Sequence, residues 1–203
     1  MGMMLRFPVL AFALLFAAPA MAESPQDWLS PPNDLPRSAH HGEPRYNLET
    51  LFSALKIAPD ESSAKAIEDR IWAIWIASGS DTCNLLMGRV KAATDAKDYD
   101  LAIKLLNAVI ALKPDYAEAW NRRATIYYLK QDYGRAVADI AEVLKREPRH
   151  FGALSGLGMM LQDIGDDKHA LEAYRKALEI DPRLDNLADT VKTLSEKVEG
   201  RAI

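Results

Sequence analysis

This chain has little of what usually builds a reactive centre or staples a small fold. A single cysteine, Cys83, in 203 residues excludes an internal disulfide and any cysteine-clustered zinc site. Positive charge is not in excess: Lys+Arg 25 stand against Asp+Glu 29, a net charge of -4. The basic footprint of a nucleic-acid binder is therefore missing. No glycine-rich phosphate loop, no H-E-x-x-H and no nucleophile–base–acid order stands out. What remains is 49% hydrophobic and 27% charged, the balance of a globular chain.

The only long uncharged run is at the start. Phe7 to Ala22 carries no charge, follows Arg6 and ends in Ala20-Met21-Ala22. A basic start, an apolar middle and a small-x-small end describe a secretory signal peptide over 1–22. The run is short against the ~20 apolar residues of a spanning helix, and Pro8 and Pro19 interrupt it. A periplasmic location is expected, with no stable membrane span after cleavage. Residues 23–44 follow with Pro25, Pro31, Pro32, Pro36 and Pro44, which forbid a continuous helix and read as a linker. Trp28-Leu29 is its sizeable apolar pair, either folded back or loose, or a short docking peptide.

A period of 34 organises the rest. Pro114, Pro148 and Pro182 recur at that spacing, as do Ala102, Ala136 and Ala170, and then Leu106, Ile140 and Tyr174. The second block reads Trp120-x-x-Arg123-Ala124-x-x-Tyr127 and the third Leu154-x-x-Leu157-Gly158-x-x-Leu161. Within the second block Ala117, Trp120, Ala124 and Tyr127 fall on one helical face. Ala136, Val137, Ile140, Val143 and Leu144 mark a second helix beyond Asp132-Tyr133-Gly134. One such hairpin cannot bury its apolar face alone, so the blocks must stack.

At these residues the chain resembles the tetratricopeptide repeat family, whose signature has this period. The resemblance covers 81–182 as repeats 81–114, 115–148 and 149–182. It implies an all-α, right-handed α-solenoid of three helix hairpins. Block one departs most, with Leu86, Arg89, Val90 and Ala93 at signature positions. Residues 45–80 and 183–203 read as N-terminal and C-terminal capping helices. The first cap resembles part of a degenerate upstream repeat, and Trp72 and Trp75 on it read as core, with an exposed aromatic patch as the alternative. Trp120 is expected near the centre of the packing. Asp115 and Asp132 are expected to cap the helices after them. Gly158 reads as a point of tight helix approach.

Arg123 stands at a largely inward position and needs a partner; Asp139, across the hairpin, is expected to supply it, with a partner protein's carboxylate as the alternative. Arg89 has Leu105 where that acid would stand, so it is a possible anchor for something external. The resemblance implies that first helices line a concave groove. In register, the partner-binding positions are Asn84, Met87, Lys91, Asn121, Thr125, Tyr128, Ser155, Met159 and Gln162. The basic and amide pattern of chaperone-binding relatives is interrupted by Met87. His40-His41 lacks rigid metal-ligand spacing, His150 and His169 read as surface residues, and Cys83 as a small buried one.

No catalytic, metal or cofactor site is expected. The chain resembles small periplasmic repeat proteins of Gram-negative, alphaproteobacterial envelopes. That implies a non-enzymatic scaffold or adaptor for a protein or peptide, supporting envelope integrity or assembly. The alternative is an assembly chaperone holding a secreted client peptide, for example in cytochrome maturation.

Overall fold

The computed structural model describes residues 47–184 and 186–200. The leader, the linker, Trp28, His40 and His41 lie outside them. Among the described residues there are nine helices and no strand: α1 Leu48–Lys56, α2 Glu61–Ile76, α3 Asp81–Asp95, α4 Tyr99–Leu112, α5 Ala117–Leu129, α6 Tyr133–Arg146, α7 Phe151–Asp163, α8 Asp167–Ile180 and α9 Leu187–Glu199.

The period is visible in the backbone. The turn inside each repeat needs one left-handed residue, and Lys97 (φ 58°), Gln131 (φ 59°) and Gly165 (φ 84°) stand 34 apart. The next residue closes the turn: the amides of Asp98, Asp132 and Asp166 donate to Ala93, Tyr127 and Leu161, each at 2.8 Å. The same three aspartates then cap α4, α6 and α8 through Leu101, Arg135 and His169. One residue thus ends one helix and starts the next. Asp115 does not act as expected. The residue before α5 is Tyr116, and no side chain caps that helix.

Helices pair as α3/α4, α5/α6 and α7/α8, and the pairs stack through α4 on α5 and α6 on α7. Val90, Ala102, Leu106, Val109 and Ile126 join the first repeat to the second. Ala124, Ile140, Val143, Ala153 and Met160 join the second to the third. Small residues set the approach: a Cβ on Gly158 would lie 2.4 Å from the Tyr174 ring. At the far end α9 covers α8, with Leu187 and Leu194 buried.

Arg123 and Asp139 form the pair expected across the second hairpin. Arg123 Nε and Nη2 donate to the two Asp139 oxygens at 2.8 and 2.7 Å, and Nη1 reaches Asn107 Oδ1 at 2.6 Å. Trp120 differs from expectation: it is half-buried, not central. Its Nε1 donates to the Pro114 carbonyl at 3.0 Å. The Arg123 and Arg146 guanidinium groups lie 4.9 and 4.7 Å from its ring. Cationic neighbours keep that ring at the edge of the core.

The N-terminal hairpin α1–α2 does not cap the first repeat. It packs mainly on α5, α7 and α8, far away in sequence. The outer face of α3 gives a reason, because Gly88 and Arg89 are exposed there and Leu85 is 69% exposed. That face has too little apolar surface to hold two tryptophans. Phe151, Ile180 and Leu184 supply it instead, and Trp72 and Trp75 are buried among them.

Candidate partner-binding surface

First helices α3, α5 and α7 carry the positions that the register places on the inner surface. The nine do not form one open groove. Asn84, Lys91 and Gln162 are exposed, and Met87 and Met159 are half-buried. Asn121, Thr125, Tyr128 and Ser155 are buried, against expectation. The physical reason at the centre is the N-terminal hairpin.

α2 comes down where α5 and α7 begin. Trp75 stacks on His150, with ring centroids 4.1 Å apart at 10°. Trp72 meets Trp75, His150 and Phe151 edge-on at 5.2, 5.3 and 5.8 Å. Gly152 makes room, since a Cβ there would lie 2.8 Å from the Trp72 ring. In register Gly152 is equivalent to Glu118 and Asn84. The hairpin ends are tied down as well: Tyr116 donates to the Ile76 carbonyl at 2.6 Å, Lys113 Nζ to the Ser78 carbonyl, and Arg183 to the Ala58 and Pro59 carbonyls at 3.0 and 2.9 Å. Arg149 pairs with Glu49 at 2.9 Å.

His150 is fully buried, which corrects the surface role expected for it. Its Nδ1 accepts from the Ala153 amide at 3.1 Å and so caps α7. Its proton is then on Nε2, which faces Glu118 Oε2 at 3.8 Å. Glu118 accepts from Arg122 Nε at 2.9 Å and Asn121 Nδ2 at 3.1 Å. Burial pushes the Glu118 carboxyl up, but Arg122, His150 and Asn121 together outweigh it and leave it below its ordinary value. The seam is not fully satisfied. Trp75 Nε1, His150 Nε2 and Asn121 Oδ1 are buried without a hydrogen-bond partner, at roughly 1–3 kcal/mol for each such group.

The open remainder is the C-terminal half of the inner surface. Tyr128 donates to Asp163 Oδ2 at 2.8 Å, and Tyr174 to Gln162 Oε1 at 3.1 Å. Burial, with the Asp163 hydrogen bond second, pushes the Tyr128 phenol up. Lys91 pairs with Asp95 at 2.8 Å on the exposed face. Beside Gln162 an open recess of about 440 Å³ runs along α9, lined by Asn186, Asp189, Thr193 and Lys197. Arg89 is exposed. Cys83 is buried. His169 stays exposed, 2.8 Å from Asp166. No group of three metal-ligating side chains occurs among the described residues. No described helix is long and apolar enough to cross a membrane.

Comparison with known proteins agrees with this geometry. The tetratricopeptide repeat model matches residues 87–142 and 130–185. A TPR repeat-containing protein of Rhizobium etli is 43% identical over 157 residues, spanning 77% of this chain and 77% of its own length. The chain belongs to the tetratricopeptide repeat family. Repeats of this family mediate protein–protein interaction. The small glutamine-rich tetratricopeptide repeat-containing protein 2 of Saccharomyces cerevisiae is 33% identical over 96 residues, 47% of this chain and 27% of that protein. Among solved structures, the Sgt2 TPR domain from Aspergillus fumigatus aligns at TM-score 0.55 and 26% identity, covering 59% of this chain and 81% of that one. The first TPR of Spaghetti (RPAP3), bound to an HSP90 peptide, aligns at TM-score 0.56 and 18% identity, covering 59% and 95%.

Proposed function

We propose that this protein is a non-enzymatic scaffold or adaptor of the periplasm that docks a protein or peptide and supports envelope integrity or assembly. The observation that carries the reading is the surviving strip of inner surface. Lys91 on α3 and Met159 and Gln162 on α7 stay accessible, and Gln162 borders the recess along α9. Amides and a lysine can hydrogen-bond a peptide backbone, and methionine adapts to varied apolar side chains. The peptide held by the structurally similar first repeat domain of RPAP3 supports this class of partner. The signal-like run at 1–22 supports the location.

A photo-crosslinking residue at Lys91 or Gln162, introduced in the native envelope, tests this reading. Discrete adducts are expected from both positions and none from the exposed Glu172 on α8. Equal adducts from all three, or fractionation of the protein with the cytosol, would reject it. The chaperone reading differs in lifetime: a scaffold gives adducts throughout growth, whereas a chaperone gives them only while its client is being made.

A further inference from the structure

The hairpin 48–76 is the part of the molecule that the 34-residue register does not explain, and three observations say what it is doing. First, it sits on the surface where first helices of this architecture present their inner positions. Trp72 fills the space left by Gly152, and Trp75 covers His150 over Glu118 and Asn121. Second, it is bonded to residues far along the chain, Tyr116, Arg149 and Arg183. Its only covalent tie to the repeats is the tether 77–80, with Gly79 at φ 70°. Third, the seam is aromatic and tight yet leaves Trp75 Nε1, His150 Nε2 and Asn121 Oδ1 unbonded. Such a contact is held by ring packing and proximity rather than by a completed polar network.

We propose that the hairpin is a resident ligand. The N-terminal half of the inner surface is a receptor for an amphipathic helix presenting two aromatic rings at i and i+3. A partner protein bearing such a helix enters by displacing residues 48–76. The receptor also reads the helix end. Tyr116 takes the Ile76 carbonyl at the C-terminus of α2, the negative end of its dipole, and Lys113 holds the Ser78 carbonyl in the tether. This inference rests on the inner surface being the docking face, and it names the chemistry of the partner. The tether holds the hairpin at a high effective concentration, so the partner meets a mostly closed receptor and its apparent affinity falls by the open fraction.

The test uses the full chain and a labelled peptide of residues 47–77. Trp72→Ala combined with Trp75→Ala loosens the resident helix and leaves the receptor intact. This double variant should bind the peptide at least tenfold more tightly than wild type. A peptide in which both tryptophans are alanine should not bind. Gly152→Val places a wedge under Trp72. It should release its own hairpin, seen as faster proteolysis at 77–80, yet fail to bind the peptide because the same cleft is blocked. Equal peptide binding by wild type and the double variant would overturn the proposal. So would collapse of the repeats in the double variant, since a resident ligand must be able to leave. A wild-type dimer abolished by Gly152→Val would also overturn it, because the occupant would then come from a second copy. The peptide readout needs no envelope partner. Failed crosslinking in the envelope would reject the scaffold reading and leave this one standing.

Discussion

The repeat stack and the N-terminal hairpin are both helical and both bury aromatic side chains, yet they are held in different ways. In the stack each helix touches its sequence neighbours, and the contacts recur every 34 residues, from Ala102 and Leu106 to Ala170 and Tyr174. The hairpin meets Phe151, Ile180 and Leu184, around a hundred residues away for α1. Local repetition makes the first kind cooperative and self-supporting. The second kind is a docking event that happens to be intramolecular.

Core substitutions should separate the two regions most strongly. Leu106 is fully buried, and Leu106→Ala should lower global stability by about 2–5 kcal/mol. Trp75→Ala should cost a comparable amount, but as an early transition that removes only α1 and α2 from the folded unit. Chemical denaturation followed by both circular dichroism and tryptophan fluorescence would show coincident curves for the first variant and split curves for the second. Next comes Arg123→Ala, which strands the buried Asp139 carboxylate. A loss of about 3 kcal/mol is expected, confined to the stack.

Acid should act on the seam. Glu118 has a folded-state pKa below its ordinary 4.5. Its ionised form therefore stabilises the folded repeats fully above that ordinary value, and the contribution is lost as pH falls through the folded value. Glu118→Gln should flatten the acid limb of the stability curve, read as midpoint against pH from 6 to 3. The smallest effect is in the turns. Lys97 and Gln131 adopt the left-handed conformation that Gly165 adopts in the third repeat. Lys97→Gly and Gln131→Gly should each stabilise the stack by roughly 0.5 kcal/mol, the steric relief slightly exceeding the entropy cost.

Legibility in the sequence followed the same division. The register, the helix pairs, the Arg123–Asp139 bond and the close approach at Gly158 could all be read because each depends on residues within one repeat. The left-handed turns carried a weaker trace, the recurrence of Asp98, Asp132 and Asp166, which the proline spacing overshadowed. Where the hairpin docks could not be read, since nothing local to Trp72 or Trp75 points to His150 or Gly152. Four of nine expected groove residues are buried; Tyr128 owes this to packing within the stack, beside Tyr133 and Met160. Gly152 was the available clue: it breaks the inner-surface register, where Asn84 and Glu118 carry side chains. His150 misled because a histidine opening a helix resembles a surface cap until a ring is laid over it.

Amide hydrogen exchange on the full chain, wild type against Gly152→Val, tests the central claim most directly. Valine is a better helix former than the glycine it replaces, so α7 should stay intact and only the wedge under Trp72 matters. Residues 61–76 should lose protection by at least a hundredfold while 117–180 keep theirs. Unchanged protection over 61–76, or an equal loss across the whole chain, would show that the hairpin is an integral part of the stack and not a ligand seated on it.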